Sequence, residues 1–246
     1  MCIVSLYAKA KKHMNRCITE EYKRLRFCFY YSFVMATHRI PIIPTDIVKK
    51  KLGNWKEQYL EKYMVPKHNG CFIDIGAHVG WWTFFMASKG IEVHAFEPSP
   101  QSYPILAEKA KKYSSIHVYP VALGQECRDS KLMLHSQSGH DSLVKVEKDF
   151  SGKQALITIR TLDSFQFHNI GLIKIDTEQY EVPILLGATR TISVHKPRLI
   201  IEIHRPYKEQ RQKITKILQK LGYVQLWYGK PHARQHLIAD PKEVRL

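Results

Sequence analysis

Residues 71–80 read Cys71-Phe72-Ile73-Asp74-Ile75-Gly76-Ala77-His78-Val79-Gly80, and Trp81-Trp82-Thr83-Phe84-Phe85 follow directly. A short apolar run ends in a carboxylate, Gly76 and Gly80 punctuate what comes next, and an apolar segment continues toward Gly90. The pattern predicts a strand, a glycine turn and a helix capped near Gly90. Glycine adopts backbone angles closed to other residues and lets a neighbouring group approach the main chain. The interval between Gly76 and Gly80 departs from the G-x-G-x-x-G that cradles a dinucleotide pyrophosphate.

Asp74 sharpens the reading. A carboxylate aimed into an anion site would be repelled by a pyrophosphate at intermediate dielectric. The same group suits a ligand bearing an ammonium and a sulfonium, and S-adenosylmethionine bears both. The next strand-like run, residues 91–96, ends in Glu97-Pro98. Glu97 follows Gly76 by 21 positions, near the ~20-residue offset at which an acid on the second strand tip reaches ribose hydroxyls. Taken together, these residues predict a nucleoside site; the competing reading is a structural turn with a solvated Glu97.

The chain of 246 residues is 44% hydrophobic, enough for one sizeable core. We expect a helical extension over residues 1–68 and a Rossmann-like domain over 69–246. No apolar run approaches the ~20 residues needed to cross a bilayer. The N-terminus lacks a basic stretch ahead of its apolar part, so no signal peptide is expected. Five scattered cysteines (Cys2, Cys17, Cys28, Cys71 and Cys127) form no C-x-x-C pair. They fit reduced thiols in a cytoplasm better than a disulfide framework or a zinc site.

The formal charge is +16 and the sequence pI about 9.6, a balance that raises the prospect of RNA, DNA or an anionic membrane as partner. Residues 1–70 carry 14 lysines and arginines against 5 acids, and residues 71–246 carry 24 against 17. The excess is thus densest near the N-terminus. There Lys9, Lys11, Lys12, Arg16, Lys23, Arg24 and Arg26 precede the aromatic group Phe27, Phe29, Tyr30, Tyr31 and Phe33. A helix with one basic and one aromatic side would dock on the core, a partner or a membrane surface, the core being the expectation. A solvated basic surface explains the charge equally well.

Helical spacing recurs over residues 46–64, after Pro41 and Pro44. Residues 102–113 predict a helix with Pro104 in its first turn, and residues 116–121 a third strand. Residues 131–135 and 155–161 predict a hairpin inserted above the sheet, carrying His140, Asp141 and Ser142 between its strands. A fourth strand at 172–175 leads into Asp176-Thr177-Glu178-Gln179-Tyr180-Glu181 and a short helix ending at Gly187. A fifth, at 198–203, ends in His204. An apolar helical stripe stops at Gly222, and residues 223–228 and 236–239 form a closing antiparallel pair. Strands alternating with helices argue a doubly wound α/β fold around a mostly parallel sheet.

Seven segments in this order resemble the FkbM family of methyltransferases. They are Phe72-Ile73-Asp74-Ile75-Gly76-Ala77 with Gly80, Phe96-Glu97-Pro98, Val121-Ala122-Leu123-Gly124, Thr161-Leu162-Asp163, Ile173-Lys174-Ile175-Asp176 with Glu178, Leu186-Gly187-Ala188 and Ile201-Glu202-Ile203. The resemblance covers residues 70–205. It implies a class I, S-adenosylmethionine-dependent enzyme that methylates hydroxyl groups on sugars, glycolipids or related metabolites. It implies too that Asp74, Gly76, Ala77, His78 and Gly80 hold the methionine part, Glu97 the ribose diol, and Val121 with Ala122 the adenine. Two departures stand out. His78 replaces the family's usual Asn, and Gln179-Tyr180 replaces a small pair beginning with Gly.

Methyl transfer to an alcohol needs the acceptor oxygen aligned with the sulfonium at near contact, and a base in reach of the hydroxyl proton. Ligands of an open parallel sheet gather at the carboxyl ends of its strands, which assembles Asp74, Glu97, Asp176, Glu178 and His204. His204, Asp176 and Glu178 are candidates for base or substrate orientation, with His140 and Asp141 of the insert next. The competing reading is helix capping by Asp176 and Glu178 and a structural His204. Asp176 and Glu178 would suit a divalent metal, but no histidine or third carboxylate follows at a suggestive spacing, and none is assigned. Glu181 and Glu202 are expected to be supporting residues. An RNA methyltransferase and a non-catalytic cofactor- or partner-binding protein are the alternative functions.

Overall fold

A computed structural model of the protein describes residues 58–135, 141–143, 150–204, 206–228 and 235–242. The basic and aromatic N-terminal segment and His140 lie outside the described residues. So does most of the helix expected over 46–64; residues 58–60 form a single 3-10 turn.

Five strands alternate with helices as expected. β1 is Cys71–Ile75, β2 Val93–Phe96, β3 Ile116–Tyr119, β7 Ile170–Ile175 and β8 Arg198–Ile203. They run parallel in the order β3-β2-β1-β7-β8. β9 (Tyr223–Tyr228) and β10 (Gln235–Pro241) extend the sheet, with β10 antiparallel to both β8 and β9. β1 and β7 are buried along their whole length, which is why both read as continuous apolar runs. The chain winds outward from β1 through β2 to β3, then returns to β7. The switch point of the sheet therefore lies between β1 and β7, and ligands of such sheets gather outside the carboxyl ends there.

Successive strand residues face opposite ways, and the core divides accordingly. Ile73, Ile75, Ile173, Ile175, Leu199, Ile201 and Ile203 pack on one face with Ile184 of α3 (Glu181–Leu186), Ile192 of α4 (Thr189–His195) and Leu218 of α5 (Tyr207–Lys220). Ala95 packs with Ala77 and with Leu106 of α2 (Tyr103–Ala110) in a separate cluster. Asp74 is the β1 partner of Ala95 on one side and of Lys174 on the other, and Lys174 is in turn the partner of Ile200. Positions 74, 174, 176, 202 and 204 therefore share the face turned away from the larger core, and all five are polar, at the carboxyl edge or beside it.

The third strand is shorter than its sequence implies. Pro120 lacks the N–H a ladder needs, so β3 stops at Tyr119. Ala122–Leu123 form a separate strand, β4, in a second sheet of order β4-β6-β5. The expected hairpin supplies its other two strands, β5 (Arg128–His135) and β6 (Phe150–Arg160), paired antiparallel.

Candidate functional site

The turn after β1 leads into helix α1 (Trp81–Ala87). Gly76 has φ +79°, and a Cβ there would lie 1.9 Å from the carbonyl oxygen of Asp176. Glycine at 76 thus answers to the close passage of the chain leaving β7. Gly80 has φ +91°, and a Cβ would meet Leu106 Cδ1 at 2.5 Å and the Phe84 ring at 2.6 Å. The backbone N–H groups of Gly76 and Ala77 donate to Phe96 O at 3.0 and 3.1 Å. The turn is therefore stitched to the end of β2.

Glu97 completes that stitching. Its Oε2 accepts from the backbone N–H of His78 at 2.7 Å and its Oε1 from that of Ser99 at 2.9 Å. His78 has φ +53°, so the residue that replaces the family's Asn contributes its main chain. Glu97 is 7% exposed. Burial pushes its carboxyl from 4.5 up to about 7, the two N–H bonds opposing and the charges of Asp141 and Asp74 adding.

Asp74 is 1% exposed. Its Oδ2 accepts from Thr83 Oγ1 at 2.7 Å, and its Oδ1 makes no hydrogen bond among the described residues. Burial raises the carboxyl above its ordinary range, and the Lys174 charge and the Thr83 hydroxyl hold part of that rise back. A buried carboxylate oxygen with no donor is costly unless a ligand supplies one. Val121 packs on the larger core, while Ala122 is buried with Leu132, Leu134, Ile157 and Ile159 under the second sheet.

The insert reaches this edge. Ser99 Oγ donates to Asp141 Oδ2 at 2.6 Å, and Ser142 Oγ donates to the Glu178 carbonyl at 2.9 Å. Residues 141 and 142 thereby tie the segment after β2 to the segment after β7.

The remaining candidates converge where β7 and β8 end. Lys174 Nζ donates to Asp176 Oδ2 at 3.1 Å. His204 Nδ1 lies 2.7 Å from Glu181 Oε1. Its Nε2 lies 3.7 Å from Asp176 Oδ1, 3.5 Å from Glu178 Oε1 and 3.6 Å from Glu202 Oε1. His236, the β10 partner of Glu202, has Nε2 3.3 Å from Glu202 Oε2. Burial alone would depress the His204 imidazole. The hydrogen bond to Glu181 and the charges of Glu178 and Asp176 outweigh it and bring it to about 9. Glu181 and Glu202 are thus direct partners of the candidate histidine. For Glu202 the signal is the alternation Ile201-Glu202-Ile203-His204, two polar side chains on one face at the end of a buried strand. The missing histidine and third carboxylate come from β8, a neighbour in register rather than in sequence.

Gln179 takes φ +81°, a region that favours glycine, where the family usually has glycine. Its backbone N–H donates to Glu181 Oε1 at 3.1 Å.

A mostly parallel seven-stranded sheet with one reversed strand near its edge, and acids on the tips of its first two strands, is the architecture of a class I methyltransferase. The FkbM methyltransferase of Methylobacillus flagellatus superposes with a TM-score of 0.55 at 23% identity, over 74% of this chain and 47% of that one. This chain thus spans about half the length of that protein. An rRNA methylase from Streptococcus thermophilus superposes with a TM-score of 0.49 at 13% identity, over 77% and 98% of the two chains. Comparison with curated proteins gives no match. The methyltransferase FkbM domain matches residues 74–225. The chain belongs to the FkbM family of S-adenosylmethionine-dependent methyltransferases. Among the described residues no helix is long and apolar enough to cross a membrane.

Proposed function

We propose that this protein transfers a methyl group from S-adenosylmethionine to a hydroxyl of a sugar, glycolipid or other small metabolite, in the cytoplasm. The observation that carries the choice of acceptor is the acidic edge beside the turn. Asp176 and Glu178 keep side-chain exposures of 28% and 20%, with Glu202 behind them. Carboxylates at that edge accept hydrogen bonds from hydroxyls and repel the phosphates of a nucleic acid. The unpaired state of Cys71 and Cys127 suits a reducing compartment.

The cofactor fits the groups present. Asp74 Oδ1 is a buried acceptor with no donor among the described residues, suited to an ammonium beside the 76–80 turn. Glu97, fixed by two N–H groups, keeps lone pairs on each oxygen for two ribose hydroxyls. Val121 and Ala122 border the adenine. The bound cofactor supplies an electrophilic methyl on sulfur. Asp176 and Glu178 orient the acceptor and take the hydroxyl proton as its oxygen bonds to that methyl. His204, fixed by Glu181 at one nitrogen and facing Asp176, Glu178 and Glu202 with the other, holds these carboxylates in place and serves as a positioning residue.

The test is methyl release from labelled S-adenosylmethionine onto a panel of glycans, glycolipids and RNA. Methyl ether on a hydroxylated small molecule is expected, with loss of turnover in Asp176→Asn. Label on RNA bases alone would overturn the reading.

A further inference from the structure

Where β7 and β8 end, one buried imidazole looks into a ring of carboxylates. We propose that Asp176, Glu202 and His204 form a binding site for one divalent transition-metal ion of the Mn2+ or Zn2+ class, with Glu178 beside it. One ligand atom from each of the three lies within 4.8 Å of the others. Atoms bound to a common ion at ~2.1 Å sit roughly 3.0–3.4 Å apart. The separations of 3.5–3.7 Å from His204 Nε2 to Asp176, Glu178 and Glu202 are a little beyond that, and small rotations close them. They are too long for hydrogen bonds.

The histidine supplies the independent sign of a ligand. Its side chain is 8% exposed, and Nε2 makes no hydrogen bond among the described residues. Its other nitrogen is fixed by Glu181 Oε1 at 2.7 Å. A carboxylate that holds one imidazole nitrogen while the other faces outward is the support metal-ligating histidines receive. Mixed imidazole and carboxylate ligands select first-row transition ions over the all-oxygen shell of Mg2+ or Ca2+.

The site does not rest on methyl transfer, and its test omits donor and acceptor. The untagged full chain is stripped with EDTA, dialysed, and titrated with Mn2+ and with Zn2+ by calorimetry. One ion per chain is expected, with affinity at least tenfold weaker in Glu202→Gln and His204→Gln. Asp176→Asn, at the more exposed ligand, is expected to weaken binding equally while circular dichroism stays that of the parent. Failure of the folded parent to bind either ion one to one would overturn the site, as would unchanged affinity in Asp176→Asn. A chain that methylates without binding metal refutes only the metal site; one that binds metal without methylating refutes only the reaction.

Discussion

Glu97 at the end of β2 accepts a 2.7 Å hydrogen bond from the backbone N–H of His78, in the turn that follows β1. The acid expected to read a ribose therefore also builds the turn expected to hold the rest of the ligand. Replacing Glu97 with Gln removes one of its two acceptor oxygens and sets an amide N–H against a backbone N–H. A buried donor left unsatisfied costs about 1–3 kcal/mol. Chemical denaturation of Glu97→Gln should show a loss in that range, with S-adenosylmethionine affinity at least tenfold weaker by calorimetry.

The same carboxyl gives a pH dependence. Its folded value of about 7 lies above the ordinary 4.5, so the folded protein holds the proton more tightly than the unfolded chain. Glu97 is therefore fully compatible with folding below pH 4.5, and its contribution declines as pH rises toward 7. Donor binding runs the other way, because ribose hydroxyls donate best to the ionised carboxylate. Affinity for S-adenosylmethionine should rise through pH 7 and level off above about 8, and this slope should vanish in Glu97→Gln.

Gly76 has no room for a side chain. A Cβ at 1.9 Å from Asp176 O, on a residue with φ +79°, combines left-handed strain of about 1–2 kcal/mol with overpacking of about 1–3 kcal/mol. Gly76→Ala should lower the unfolding free energy by several kcal/mol in urea titrations.

Gln179 is the opposite case. Its φ of +81° carries strain that glycine would relieve, offset in part by the greater freedom of glycine in the unfolded chain. Gln179→Gly should stabilise the protein by up to about 1 kcal/mol, seen as a small rise in Tm.

Most of the architecture is legible in residues 71–97 and 170–204. A carboxylate ending a fully apolar run, followed by glycines, admits few alternatives to strand, turn and helix, and the closing antiparallel pair announces itself by its punctuation. Local pattern does not show which side chains meet. Pro120 breaks β3 and hands Ala122 to another sheet, a consequence of one missing N–H. Asp176 comes beside Glu202 and His204 because Lys174 of β7 and Ile200 of β8 are in register, and register across a crossover leaves no local trace. Asp141 reaches Ser99 from an insert 42 residues away. The candidate site residues are thus read by type and place on a strand, while their partners are read only from the fold.

The central claim is that the carboxyl edge of β1 and β2 holds the methyl donor. A crystal structure of the full chain with S-adenosylhomocysteine tests it most directly. The ribose hydroxyls should lie within hydrogen-bond distance of Glu97, with the amino acid end against the 76–80 turn near Asp74. A nucleoside bound elsewhere, or a phosphate-bearing nucleotide seated in that turn, would contradict it.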